Sequence, residues 1–315
     1  MPKFIIRIFN PEDIPGIMAL QQAYQQAYPH ASVIPGEVYL SSGFEAGKNI
    51  CCAFDENGSL LGYAPLFPAL TEDPKIPHTL WAEVKVSPQL GSPREVKDGL
   101  FARVLDRAAE ITHLHPGHRT RLAFQYHPSE TPSIAYVLSK GCVYTESVFR
   151  LMRDLSGEIP VVPPPSGILV RPWRMESEPE QQAYVQARNE AFPDAPASLA
   201  DWQFFLGSPV WQEGTHMAAF DGQEVVGYVS VYWDEAISLQ AGRKAAYTEY
   251  IFVRKKWRRR GIAPFLIYQG LIYLREHGRE AAFLEVKATN QHALDLYYRL
   301  GYQLVDETRL YVLEL

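Results

Sequence analysis

The sequence repeats itself weakly on either side of a proline-rich segment, and this repeat limits the folds open to the chain. Gln21-Gln-Ala-Tyr24 recurs as Gln181-Gln-Ala-Tyr184, and Leu61-Gly62-Tyr63 recurs as Val226-Gly227-Tyr228. Matches in one order at an interval of about 160 residues indicate a tandem duplication. Residues 157–166 between the copies contain four prolines, which favour extended backbone and exclude a helix or a central strand. The chain is therefore predicted to form the same fold twice.

The predicted domains are residues 1–156, a linker at 157–166, and residues 167–315. A chain of 315 residues suits two domains of about 150 residues each. A hydrophobic content of 47% with 21% charged residues is ordinary for globular proteins, so each half can bury a core. In the second half, a strand hairpin with a tight turn at Asp221-Gly222 is followed by strand–helix–strand–helix and a final hairpin. This order predicts a mixed α/β (α+β) fold.

Charge and cysteine content exclude several classes of function. The net charge of −6 argues against a nucleic-acid binder and mildly suits a cationic amine as substrate. The three cysteines are too few for a disulfide framework, which favours reduced thiols in a cytoplasmic protein. The N-terminus lacks a signal-peptide pattern, and no apolar run approaches the ~20 residues of a membrane span. We therefore expect a cytoplasmic protein without a membrane or nucleic-acid partner.

A basic turn between a strand and a helix is the strongest chemical signal. The apolar run Tyr250–Val253 leads into Arg258-Arg259-Arg260-Gly261-Ile262-Ala263, and the pattern predicts a helix over Ile262–His277. Successive N–H groups in such a turn form an anion-binding nest, and the helix points its positive end at the same place. Gly261 suits a positive φ or a close approach to a ligand, and Ala263 keeps that approach open. The spacing matches neither the P-loop nor the dinucleotide fingerprint.

A second motif follows about 30 residues downstream. Asn290-x-x-Ala293-x-x-x-Tyr297-x-x-x-Gly301-Tyr302 begins after a predicted strand and continues into a predicted helix. Asn290 suits the N-cap of that helix, and its amide could also bind a ligand. Tyr297 lies one turn beyond Ala293 on the same helix face. The neighbouring Tyr298 points about 100° away around the helix.

Together the two motifs resemble those of the GNAT superfamily, the acyl-CoA-dependent N-acyltransferases. The resemblance implies two tandem GNAT-like domains, each a central mixed, mostly antiparallel sheet flanked by helices. The tandem arrangement resembles that of mycothiol synthase in architecture. The implied co-substrate is acetyl-CoA, with no metal. The residues implied to bind it are Phe252, Val253, Arg258, Arg259, Arg260, Gly261, Ile262, Ala263, Asn290 and Tyr297.

The resemblance also implies a mechanism, which is direct transfer of the acetyl group to an amine in a ternary complex. Tyr297 would be the general acid that protonates the departing CoA thiolate. Glu249 would be the base for the amine, with Asp234 and Glu235 as fallback candidates. The acceptor is a small-molecule or peptide amine of unspecified identity. The alternatives are another acyl group or acceptor, or an acyl-CoA-binding regulatory module without turnover.

The first half lacks the same motifs. Alignment on Arg94 puts Lys97 in the place of Gly261, while Glu130 replaces Asn290 and Val137 replaces Tyr297. We therefore expect the first domain to have lost acetyl-CoA chemistry.

A histidine-rich loop in the first half is the one sequence signal for a metal. His113-x-His115-x-x-His118 could in principle ligate zinc or nickel. However, it falls in a Pro-Gly loop with no cysteine or carboxylate nearby in sequence. No metal site is therefore expected.

Overall fold

The computed structural model describes residues 4–71, 73–193, 196–207, 213–233 and 235–315. The chain divides into two compact units. The first unit comprises the chain through Val148 together with Asp306–Leu315, and the second unit comprises Phe149–Val305. Packing thus assigns residues 306–315 to the first unit, although in sequence these residues lie beyond the proline-rich segment and the whole second unit. The domain boundaries predicted from the sequence remain a prediction.

The first unit is a mixed sheet with helices. Its described elements are β1 (Phe4–Ile8), α1 (Ile14–Ala27), β2 (Ile50–Asp55), β3 (Leu60–Ala69), β4 (His78–Ala82), β5 (Lys85–Val86), α2 (Pro93–Leu114), β6 (Thr120–Tyr126), α3 (Thr131–Ser139), residues 143–148 of β7 (Val143–Asp154) and residues 306–314 of β13 (Gln303–Glu314). The strand order is β1-β2-β3-β4-β6-β13, with β5 paired to β3. The β4–β6 pair is parallel, while β1–β2, β2–β3, β3–β4 and β6–β13 are antiparallel.

The second unit follows the same main order of strands and helices, with two additional helices and without a counterpart of the short β5. Its described elements are residues 149–154 of β7, β8 (Leu169–Pro172), α4 (Glu178–Ala191), α5 (Leu199–Gly207), β9 (Thr215–Asp221), β10 (Glu224–Tyr232), α6 (Glu235–Ala241), β11 (Ala245–Val253), α7 (Ile262–Glu276), β12 (Ala281–Lys287), α8 (Gln291–Arg299) and the start of β13. The strand order is β7-β12-β11-β10-β9-β8. The β11–β12 pair is parallel, and β8, β9, β10 and β11 pair antiparallel. The predicted fold class is confirmed in both units.

Local sequence signals explain several of these elements. The hairpin between β9 and β10 turns at Asp221-Gly222, where Gly222 has φ 62° as a tight hairpin turn requires. Helix α7 begins at Ile262, as predicted, and buries residues three and four positions apart against the sheet. It packs so closely on β10 that a Cβ at Gly270 would lie 2.8 Å from Val231 Cγ1. This close packing places the start of α7 beside the end of β11.

A bulge in β11 lies where this strand separates from β12 and leaves a cleft in the second unit. Parallel pairing runs from Ala245 with Ala281 to Tyr247 with Phe283, although both strands continue further. Tyr250 has φ 53°, a left-handed conformation rare for an aromatic residue, and the β10–β11 register shifts at this point. A β-bulge bends its strand and increases the local twist. The end of β11 therefore leaves β12 and faces an open cleft.

Candidate functional site

The cleft beside the β11 bulge has a volume of about 990 Å³ and lies within the second unit. Its walls are the end of β11, the basic turn, the first turn of α7 and one face of α8. Among the described residues that line it are four lysine or arginine side chains and no carboxylate. The cations are Lys255, Arg258, Arg259 and Arg299. In a chain of net charge −6, this concentration of positive charge indicates an anionic ligand.

The basic turn has the backbone geometry of an anion nest. Arg259 has φ 63° and Gly261 has φ 75°, so left-handed residues alternate along the turn. Gly261 is the N-cap of α7 and supplies no side-chain cap, which leaves the N–H groups of the first turn directed at the cleft. A Cβ at Gly261 would meet no atom within 4 Å, so the positive φ is what favours glycine in the ligand-free protein. The expectation of a positive φ at Gly261 is confirmed.

The arginines of this region differ in what they contact. Arg258 Nε donates to the Val253 carbonyl at 3.0 Å, which holds its guanidinium at the mouth of the cleft. Arg260 is exposed and is not among the lining residues. Arg254 forms ion pairs with Glu190 and Glu224, so its charge is already neutralised. Two of the three predicted arginines therefore line the cleft.

Helix α8 contributes two lining residues that the motif analysis missed. His292 and Arg299 lie on the same helix face as Leu296, and all three line the cleft. Their spacing of four and three residues was visible in the sequence. It carried no functional signal, however, until the face of α8 that turns towards the cleft was known.

Asn290 is the N-cap of α8 and also lines the cleft. Its side-chain oxygen accepts a hydrogen bond from the Ala293 N–H at 3.3 Å. The capping role considered for it is therefore confirmed. A role in binding a ligand stays a prediction.

Tyr297 is buried in the wall of the cleft with 8% of its surface exposed. Its ring packs against Tyr302 at 5.9 Å between centroids. Among the described residues, none forms a hydrogen bond with its hydroxyl. Burial raises the pKa of the phenol to about 12, so the hydroxyl is protonated at neutral pH. The rival Tyr298 is 43% exposed and does not line the cleft.

Glu249 lies on β11 directly before the bulge and is not among the residues that line the cleft. Its carboxylate accepts a hydrogen bond from the Tyr232 hydroxyl at 2.7 Å. Burial raises the pKa of Glu249, while the Tyr232 hydrogen bond and the charge of Arg150 oppose that rise. Of the fallback candidates, Glu235 is exposed at the start of α6, and Asp234 lies outside the described residues.

The matching region of the first unit has no such turn. Its helix α2 begins at Pro93 with Ser92 as N-cap, so Lys97 lies one turn inside the helix. Aligning Lys97 with Gly261 was therefore wrong, because proline at the first helical position starts α2 early. Among the described residues 87–92, none has a positive φ. The first unit therefore lacks the alternating left-handed turn that precedes α7.

At the start of α3, side chains of the first unit form hydrogen bonds with one another. Glu130 is the N-cap of α3, as Asn290 is of α8. Its buried carboxylate accepts from the Tyr24 hydroxyl at 3.0 Å and from the His127 N–H at 2.9 Å. Ser133 adds a third contact to Tyr24 at 2.8 Å. The predicted correspondence of Glu130 with Asn290 is consistent with their shared capping position.

No helix in the described parts of the chain combines the length and apolar character needed to cross a bilayer.

Comparisons with known proteins agree with this geometry. Residues 172–302 match the family model of the Acetyltransferase (GNAT) family. A mycothiol acetyltransferase of Thermomonospora curvata is 25% identical over 292 residues, which cover 91% of this chain and 89% of the relative. A GCN5-related N-acetyltransferase from Sphaerobacter thermophilus superposes with a TM-score of 0.77 at 21% identity, covering 99% of this chain and 95% of that one.

A second solved structure is itself a double-domain protein. The tandem GNAT protein from the clavulanic acid biosynthesis pathway superposes with a TM-score of 0.70 at 14% identity, covering 99% of this chain and 98% of that chain. At this identity the likeness concerns the fold. The family match covers the second unit's cleft, and the fold occurs in both units. The second unit therefore carries a domain of the Acetyltransferase (GNAT) family at residues 172–302, and the whole chain has the fold of tandem GNAT proteins.

Proposed function

We propose that the second unit transfers the acetyl group of acetyl-CoA to an amine in a ternary complex. The observation that carries this proposal is the composition of the cleft. It combines an uncapped helix N-terminus with four cationic side chains and no carboxylate among the described lining residues. Coenzyme A carries a pyrophosphate and a 3′-phosphate, and these groups require backbone N–H donors and guanidinium groups together. Acetyl-CoA is the co-substrate used in the GNAT family.

In this proposal the cofactor follows the path from the basic turn to the bulge. The N–H groups around Gly261 and Ala263 would bind the pyrophosphate, with Arg258 and Arg259 beside it. Beyond Tyr247, β11 no longer pairs with β12, so the pantetheine arm could bond its free edge as an added strand does. Asn290 lies on the opposite wall of the cleft, where its side chain would contact the pantetheine arm. Arg260 would contribute long-range attraction only, because it lies outside the lining.

The proposed chemistry proceeds with the amine nitrogen attacking the thioester carbonyl carbon. Backbone N–H groups of Phe252 and Val253 would stabilise the oxyanion as the tetrahedral intermediate forms. The carbon–sulfur bond then breaks, and the CoA thiolate takes a proton from Tyr297. Glu249 would receive the proton that the amine loses, through water, because it does not itself line the cleft. Burial raises the pKa of Glu249, which makes it a stronger base.

The Tyr232 hydrogen bond offers a test of the base. Because that bond lowers the pKa of Glu249, Tyr232→Phe should raise it further. A base is active when deprotonated, so the acidic limb of kcat/KM should move to higher pH in this variant. The plateau at high pH should change little. Tyr298→Phe, which removes a hydroxyl from an exposed tyrosine outside the cleft lining, is the control and should leave the limb in place.

Calorimetric titration with acetyl-CoA tests the proposed site. Gly261→Glu should weaken binding at least tenfold, because it strains the left-handed turn and brings a carboxylate to the phosphates. Gly278→Glu is the matched control, since Gly278 also has a positive φ (70°) and open space around its Cβ. It lies beyond the other end of α7, so it should bind as the wild type does.

Each outcome of this titration has a clear meaning. One binding site that is lost in Gly261→Glu alone supports the proposal. Two sites would mean that the first unit also binds the cofactor. No binding by the wild type would overturn the proposal.

Thiol release against a panel of amines then tests turnover. Because the relatives carry the name mycothiol acetyltransferase, mycothiol-related small molecules come first in that panel. Acetyl-CoA binding without thiol release against any amine would favour a regulatory binding module.

A further inference from the structure

Two histidines and one aspartate converge in the first unit, far from one another in sequence. His30 follows α1, His127 follows β6, and Asp306 begins the C-terminal segment of this unit. His30 Nδ1 lies 3.3 Å from one carboxylate oxygen of Asp306, and His127 Nε2 lies 3.1 Å from the other. One ligand atom from each residue lies within 4.8 Å of the others. Two imidazoles and a carboxylate form a common ligand set for transition metals.

We propose that the first unit binds a divalent transition-metal ion of the Zn²⁺ class through His30, His127 and Asp306. Ligand atoms at about 2.0–2.1 Å from a tetrahedral metal lie about 3.3–3.4 Å from one another. The two nitrogens contact different oxygens of Asp306, at 3.3 and 3.1 Å, so the carboxylate lies between the two imidazoles and one of its oxygens can occupy a corner of such a tetrahedron. Three protein ligands leave a fourth position for water.

Neighbouring groups hold two of the ligands. His127 Nδ1 lies 2.7 Å from the Ser129 hydroxyl and accepts a hydrogen bond from the Ser129 N–H at 3.1 Å. Binding of a metal by Nε2 places the imidazole proton on Nδ1, so Nδ1 must then release the Ser129 N–H and donate to the Ser129 hydroxyl. The Glu307 N–H donates to the Asp306 carboxylate at 2.8 Å and fixes that side chain as well. Metal-ligating residues commonly have such outer partners.

One ligand must move on binding. The His30 and His127 rings stack at 4.4 Å with 16° between their planes, so their nitrogen lone pairs lie in nearly parallel planes. A shared metal requires these lone pairs to converge. The His30 side chain is 53% exposed, whereas that of His127 is 19% exposed. His30 can therefore turn towards the other two ligands without disturbing packed neighbours.

Two of the three histidines flagged by the sequence, His115 and His118, form a different group with His78. His78 stacks on His118 at 4.3 Å and contacts His115 at 5.1 Å. The metal-compatible group identified among the described residues is the one with Asp306, and it does not include these three. The His78 side chain is buried, with Nδ1 accepting the Thr71 N–H, so its ring cannot turn as His30 can. This second group therefore provides an internal control.

Zinc titration of the full-length, chelator-treated protein tests the proposal by calorimetry, with Co²⁺ absorption as a spectroscopic readout. The wild type should bind one ion per chain. His30→Ala and Asp306→Asn should each weaken binding at least tenfold, and Ser129→Ala should weaken it less. Zinc should also raise the melting temperature of the wild type but not of His30→Ala, because the ion ties residues 306–315 to the rest of the unit. His115→Ala, which removes a histidine of the second group, is the control and should bind as the wild type does.

The outcomes separate the proposal from its rivals. Binding lost in His30→Ala and Asp306→Asn, with His115→Ala unchanged, supports it. His30 is exposed, so its removal should leave the fold intact even if a change at His127 does not. No binding by the wild type, or wild-type affinity in both ligand variants, would overturn the proposal. Loss in His115→Ala alone would place the ion at the other histidine group and would also overturn it.

Discussion

Replacing Tyr297 by phenylalanine should lower kcat by about 10²–10³-fold while leaving the affinity for acetyl-CoA almost unchanged. The change removes one hydroxyl and keeps the buried ring that packs against Tyr302. If Tyr297 protonates the leaving thiolate, the interaction exists only in the transition state, so kcat falls rather than binding. The hydroxyl forms no hydrogen bond with the described residues, so no other partner is lost. Steady-state kinetics and calorimetry measure the two effects separately.

Tyr298→Phe is the matched control for this variant. It removes the same atom one residue further on, from a side chain that is 43% exposed and outside the cleft lining. Its kcat should stay within about twofold of the wild type, as expected of a surface change. Because burial raises the pKa of Tyr297 to about 12, the wild type should show no loss of rate from its ionisation near neutral pH. Equal kcat values in Tyr297→Phe and the wild type would remove Tyr297 from the mechanism.

Glu249→Gln should lower kcat/KM by about 10²–10⁴-fold and abolish the acidic limb of its pH profile. The amide keeps the size of the side chain and can still accept from the Tyr232 hydroxyl. It cannot take a proton from the amine, however. Glu276→Gln, an exposed change at the end of α7, is the control and should keep both rate and profile. A variant that retains the acidic limb would show that another group is the base.

The same variant has a stability signature of known sign. Burial raises the pKa of Glu249 in the folded protein above that of an unfolded chain, where glutamate titrates near about 4.3. The stability contributed by the protonated form is present below the unfolded value and is lost as pH rises through the folded pKa. Glu249→Gln removes this dependence. Urea unfolding should therefore show the variant gaining stability relative to the wild type between acidic and neutral pH.

The sequence determined those features that depend on neighbours along the chain. The Asp221-Gly222 turn, the start of α7 at Ile262 and the capping by Asn290 were all readable in advance. In each case the relevant hydrogen bond or dihedral angle involves residues a few positions apart. The positive φ at Gly261 belongs to the same class, because a strand, a basic turn and a helix in succession require a sharp change of direction. The mixed sheet with helices followed from the order of these local elements.

Other features depended on pairing between distant segments, which the sequence pattern does not encode. The bulge at Tyr250 results from the register of β10 against β11. Arg254 is ion-paired with Glu190 and Glu224 whereas Arg258 lines the cleft, and nothing in the basic run distinguishes these two arginines. Short-range propensity signals a cap or a turn, whereas a cleft or an ion pair exists only where the tertiary fold brings its walls together.

In the first unit, even more features depend on tertiary contacts. The motif alignment placed Lys97 opposite Gly261. In the structure α2 already begins at Pro93, so Lys97 lies inside this helix. Residues 306–315 belong to the first unit only because β13 pairs with β6 there. His30, His127 and Asp306 come together through that same pairing and share no readable spacing. The sequence alone determined the local elements and the family motifs. Tertiary packing decided which side chains meet, because contacts between distant residues arise from folding and not from their order along the chain.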